Sequence, residues 1–218
     1  GYMARNWRTI VPLNLCYAFS AMMAYGVAAW IPTFFVRTYD WTYPVAGWWY
    51  GWGIVIFGTA GVVTGGWAAD HLTSRGIRNG RMLVCAAAGI CALPFSILYP
   101  LLDNPWIALA LLCPSTFFAT FTTGAGPSAL QELMPIQMRG FASSILIFVV
   151  SIIGLGLGPT SIALATDFIY ADEAMLRYSL VLVPAVVLTF AVLAGLLALK
   201  PYAGSLDYLE RWSAENEK

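Results

Sequence analysis

Residues 45–101 read VAGWWYGWGIVIFGTAGVVTGGWAA, then DHLTSRGIRNGR, then MLVCAAAGICALPFSILYPL. Residues 45–69 and 82–101 carry no charged side chain, while the twelve residues between them hold Asp70, His71, Arg75, Arg78 and Arg81. A helix needs about 20 mostly apolar residues to cross about 30 Å of hydrocarbon. Both flanks meet that length, so this stretch predicts two membrane spans joined by a charged hairpin. The same pattern recurs outward along the chain. Spans are predicted near 10–36, 45–69, 82–101, 106–130, 141–166 and 178–199, with a tail from 201 to 218. The fold class is all-α integral membrane with six transmembrane helices.

Composition agrees. The 218 residues are 60% hydrophobic and 10% charged, with a mean hydropathy of +0.74. A soluble domain runs about 45–50% apolar and about 25% charged, so the polar shell of a soluble globule is missing. Formal net charge is +0, which leaves no basic surface for a nucleic acid. Cys16, Cys85, Cys91 and Cys113 lie in apolar runs without metal-ligand spacing and read as small packing residues.

The cations sort by side. Arg5, Arg8, Arg75, Arg78, Arg81, Arg139, Lys200, Arg211 and Lys218 fall on one side of the predicted spans, and Arg37 and Arg177 on the other. The positive-inside rule then puts both ends of the chain in the cytoplasm, as the even span count allows. The chain begins at Gly1, which reads as a fragment or a processed start. Beyond Lys200, the spacing of Leu206, Leu209 and Trp212 allows a short interfacial helix or an unstructured tail.

Catalytic chemistry is not expected. His71 is the lone histidine and sits in a charged loop. Gly126-Pro127-Ser128 offers a serine, but no His or Lys lies in any span to act as its base. No glycine loop with lysine could hold a nucleotide, and no cofactor or metal is expected. Nor does any ionisable residue lie well inside a span, where one would be functional by default.

Neutral polarity does line defined faces. Asn14, Tyr17, Ala21 and Tyr25 share one face of the first span, and Thr116, Thr120, Thr123 and Pro127 one face of the fourth. These stripes suit a cavity for a small organic or lipid-like substrate; alternatively the threonine hydroxyls bond back to their own helix. Glycines at four-residue spacing, Gly47/Gly51, Gly61/Gly65 and Gly154/Gly158, permit close helix approach. The run Gly154, Gly156, Gly158, Pro159 predicts a weak, flexing point. At the hairpin, Asp70 with Arg75, Arg78 or Arg81 can latch helix ends, with Glu132 and Arg139 in support, against the plain alternative of a solvated loop.

These two loops resemble the major facilitator superfamily. Its signature is Gly-x-x-x-Asp followed by basic residues, matched here by Gly66, Asp70, Arg75, Arg78 and Arg81, with His71 where a basic residue is usual. The segment Glu132-x-x-Pro135-x-x-x-Arg139-Gly140-x-Ala142-Ser143, with Gly154 to Pro159 and Asp167 after it, is similar to spinster-like bacterial members. The resemblance implies the carboxy-terminal half of a twelve-helix, alternating-access secondary transporter, either symporter or antiporter, in a bacterial inner membrane. Its partners would be the amino-terminal half of the same transporter, membrane lipids and the substrate. It also implies that the first and fourth spans line the cavity and that coupling residues lie in the other half. The alternative reading is a non-transporting membrane assembly or scaffold protein.

Overall fold

The computed structural model describes residues 2–216. Among the described residues six helices are long and apolar enough to cross a membrane: α1 Trp7–Tyr39, α2 Tyr43–Ser74, α3 Gly80–Leu101, α4 Pro105–Glu132, α5 Ile136–Tyr170 and α6 Glu173–Glu215. A helical turn, Tyr2–Arg5, precedes them. At 1.5 Å per residue the 33 residues of α1 reach roughly 50 Å, well beyond the hydrocarbon layer.

Local chemistry sets the boundaries. Asp40 ends α1 in the left-handed conformation, its N–H bonding the Phe35 carbonyl. Gly76 turns the α2–α3 connection with φ +82°, a region glycine enters freely. Asn104 caps α4: its side-chain oxygen accepts from the Trp106 and Ile107 N–H groups, and Pro105 opens the helix where no N–H partner is needed. Two differences from the sequence reading follow from helices outlasting their apolar runs. α2 continues to Ser74, so Asp70 and His71 are helical rather than looped. The last helix continues through Pro201 to Asn216, so the described part of the tail is an unbroken extension of α6.

α1 packs against α6 and α5, α3 lies between α4 and α6, and α2 packs on α4. Two apolar cores result. One lies toward the chain ends, around Leu13, Met82, Leu130, Met134 and Tyr202. The other lies at the opposite end, around Phe34, Phe35, Tyr99, Leu112 and Leu180. There Arg37 pairs with Glu173 at 2.8 Å, and Arg177 reaches Asp103 and the Pro100 carbonyl.

Glycine brings backbones together at two crossings. Gly61 and Gly65 of α2 face Phe117, Thr120 and Phe121 of α4, and Gly124 of α4 faces Val62 and Gly66. Gly26 of α1 meets Gly158 of α5: a Cβ at Gly158 would stand 2.6 Å from the Met22 carbonyl oxygen. Gly47, Gly51 and Gly53 have open space around them. The predicted weak point in α5 is wound as a π-helix over Ser151–Leu157, and α2 holds another over Ile54–Gly58. Such widened turns often mark functional segments.

Candidate functional site

The charged end is built from the last turns of α2 and α4, the first turn of α3 and the extension of α6. Arg81 stands at its centre. One guanidinium nitrogen lies 3.2 Å from Asp70, and Nε lies 3.3 Å from Glu132 Oε2. Tyr202 directs its hydroxyl at Glu132 Oε2, 2.8 Å away, and at the Ala129 carbonyl, 3.0 Å away. The side chains of Arg81 and Glu132 are 20% and 24% exposed, whereas that of Asp70 is 72% exposed. So Arg81 and Glu132 form a shielded pair with Asp70 on its wet rim. An exposed pair is worth about 0–1 kcal/mol; a shielded one is costly to break from one side.

The other predicted latch residues separate. Arg78 turns to the α6 extension and pairs with Asp207 and with Glu210, the latter at 2.9 Å. Arg139 Nε donates to the Met134 carbonyl at 3.3 Å and does not meet Glu132. Arg75 is exposed, and Gly66 lies at the α2–α4 crossing. His71 stacks on Trp67, ring centroids 5.0 Å apart. Beside this network Tyr2 stacks on Tyr208 and donates to the Leu133 carbonyl at 2.8 Å, while Thr9 and Ser205 share a hydrogen bond. Burial, with Tyr208 adding to it, pushes the Tyr2 hydroxyl up to about 12, so it stays a donor at physiological pH. Sequence reasoning missed Tyr202, Asp207 and Glu210. Their signal was a carboxylate pair and a tyrosine at helical spacing just past the sixth apolar run.

A cavity of about 210 Å³ opens between α1, α2 and α4. Tyr25, Thr116 and Thr120 line it, together with Tyr50, Ile54 and Leu112. Thr116 donates to the Leu112 carbonyl, and Thr120 to the Thr116 and Phe117 carbonyls, so their hydroxyls face the cavity with acceptor capacity only. The rest of the stripe lies elsewhere. Asn14 is 7% exposed and donates to the Ile10 carbonyl at 2.8 Å. Tyr17 packs on Gly126, and Thr123 faces the Tyr17 hydroxyl. Of the α5 run, Gly154 packs near Ala21 and Tyr25, Gly158 packs on α1, Pro159 takes the first turn of the next α-helical segment with its carbonyl accepting from Trp30, and Gly156 stands clear of other helices. Among the described residues no group of three His, Cys, Asp or Glu could hold a metal ion.

Six apolar helices, with a cavity between α1, α2 and α4 and charged helix ends tied together on one side, match half of a twelve-helix membrane fold. The chain belongs to the Major Facilitator Superfamily, whose family model matches residues 2–159. It is an integral membrane protein of a transporter family. Two solved structures share the fold: a bacterial homolog of the human lysosomal transporter Spinster, inward-facing and occupied (TM-score 0.63, 19% identity) and inward-facing and unoccupied (TM-score 0.67, 17% identity). The matches cover 94% and 93% of this chain but 49% and 48% of those chains, so it spans about half their length. No curated protein matched the sequence.

Proposed function

We propose that this chain is the carboxy-terminal half of a secondary active transporter that moves a small organic or lipid-like solute by alternating access. The cavity between α1, α2 and α4 is the observation that carries this reading. Its lining is apolar with hydroxyls at the edge, from Tyr25, Thr116 and Thr120. That lining fits an uncharged or amphipathic portion of a substrate. No charged side chain lines it, so ion coupling falls to the amino-terminal half. Asp70, on the wet rim of the network, forms with Arg81 the contact that breaks and remakes as the cytoplasmic end opens. The two halves rock about the midplane site, and the π-helical turn at Ser151–Leu157 absorbs bending in α5.

The test uses the full-length transporter in proteoliposomes. Cysteines placed at Tyr25 and Thr120 should react with a water-soluble thiol reagent from one side at a time, and substrate should protect them. Asp70→Asn should shift labelling toward the cytoplasmic side. Two unreactive cysteines in a protein that transports normally would remove the cavity from the pathway. Unchanged labelling in Asp70→Asn would reduce that ion pair to a topology signal.

The geometry also isolates bending from packing. Gly154 and Gly158 sit against α1, but Gly156 does not. Gly156→Ala should therefore slow turnover several-fold without lowering thermal stability, because alanine stiffens a helix by about 0.5–1 kcal/mol relative to glycine. Normal turnover would show that the π-helical turn is static.

A further inference from the structure

A second site lies on the outer surface, away from the cavity and from the Arg81 network. Trp7, Arg8 and Pro12 of α1 and Leu197, Lys200 and Pro201 of α6 enclose an open cleft of about 550 Å³. Arg8 lies over the Trp7 ring, 5.7 Å from its centroid. Arg78, Arg81, Arg37 and Arg177 all meet carboxylates, but among the described residues neither Arg8 nor Lys200 does. Two unneutralised cations thus share one cleft at the end of the bundle that carries most of the basic residues.

The cleft continues into an apolar track. Leu193, Leu197 and Lys200 fall at i, i+4 and i+7 on α6, and Arg8, Val11 and Pro12 share a face of α1. Leu193, Leu197 and Val11 are 50%, 68% and 46% exposed, which opens this track to the bilayer. The prolines add acceptors. Each lacks the N–H that would bond the carbonyl four residues earlier. Those carbonyls belong to Arg8 and Leu197, both in the cleft. The site therefore offers two cations for a phosphate, two carbonyls that lack a proline N–H partner, the Trp7 ring and exposed apolar side chains on the same helix faces.

We infer that this cleft binds an anionic phospholipid with a hydroxyl-bearing head group, phosphatidylglycerol being the matching type. The α1–α6 seam closes the bundle, so an occupied cleft would brace it from the lipid side. Basic pockets between helices on the cytoplasmic side suit such head groups.

The experiment purifies the full-length protein from nanodiscs of phosphatidylglycerol or phosphatidylcholine and counts retained lipids by native mass spectrometry. Wild type should keep one phosphatidylglycerol more than Arg8→Gln/Lys200→Gln, whose retention should fall on the order of tenfold. Phosphatidylcholine should be lost from both, and the charge-conserving Arg8→Lys/Lys200→Arg should hold the anionic lipid. Equal retention in the double Gln variant, or equal retention of the two lipids, overturns the site. An equal loss in Arg211→Gln would mean that retention follows bulk charge, and also overturns it. Inorganic phosphate that strips the lipid would make this a free-anion site and reject the lipid. If the double variant does not fold, Lys200→Gln alone gives the same readout.

Discussion

Gly61→Leu should cost the protein its helix packing, while Gly51→Ala in the same helix should leave it intact. The two positions read alike in sequence, each belonging to a glycine pair with four-residue spacing. Their surroundings differ. A Cβ at Gly61 would overlap the Phe117 carbonyl and the Thr120 hydroxyl, and one at Gly65 would stand 2.7 Å from Phe121 Cα. These obstacles are mostly backbone, which cannot rotate out of the way. Overpacking usually costs about 1–3 kcal/mol, and occasionally more. A leucine wedged between two backbones belongs at or above the top of that range. At Gly51 the Cβ meets nothing within 4 Å, so alanine should be neutral or gain a few tenths of a kcal/mol from helix propensity, out of about 1 available. Melting temperature in one detergent, with Gly65→Leu as a second wedge, checks the contrast. Similar values for Gly61→Leu and Gly51→Ala would mean that the α2–α4 crossing is not a close backbone contact.

The second large effect is expected at Glu132. Glu132→Ala leaves the Arg81 guanidinium, 20% exposed, facing only the rim carboxylate of Asp70, and it leaves the Tyr202 hydroxyl with the Ala129 carbonyl alone. Breaking a buried pair from one side costs about 3–5 kcal/mol, but partial exposure lowers that to about 1–3 here. Asp70→Asn should cost well under 1 kcal/mol, because its side chain is 72% exposed and its pairing is screened. Replacing both inner partners, Arg81→Met with Glu132→Leu, should recover much of the loss, since no charge is then stranded. A double-mutant cycle on thermal stability separates these outcomes, and strictly additive losses would show that the pair is not coupled. The expected division of labour is that Glu132 holds the helix ends together while Asp70 responds to motion.

Much of the architecture was legible because the bilayer is a demanding solvent. It requires long uncharged runs, and charges collect where those runs stop. That logic located the charged helix ends around Asp70 to Arg81 and around Glu132. It fails at helix ends, because a helix does not stop when its apolar run stops. The sixth span is expected to end near residue 199, yet α6 passes through Pro201 and delivers Tyr202 to Glu132 and Asp207 to Arg78. The polar stripe on the first span is divided for a related reason. Periodicity puts Asn14, Tyr17 and Tyr25 on one face over three turns, but a neighbouring helix covers only part of a face. Gly126 of α4 lets that helix close over Tyr17, while Tyr25 stays on the open cavity. One-dimensional spacing does not hold the crossing point of two helices.

The pairing of α1 with α6 bears on how the protein is made. Those two helices share an extensive contact, yet about 133 residues separate the end of α1 from the start of α6. At roughly 5–20 residues per second, the ribosome needs about 7–27 s to cover that distance. During this interval α1 lacks one of its two main protein neighbours. Two of its buried polar side chains bond within the helix itself, Asn14 donating to the Ile10 carbonyl and Ser20 to the Cys16 carbonyl, whereas Thr9 gains its partner Ser205 only when α6 arrives. Hydrogen bonds that look idle in the finished bundle let the first span wait in lipid until the sixth is synthesised.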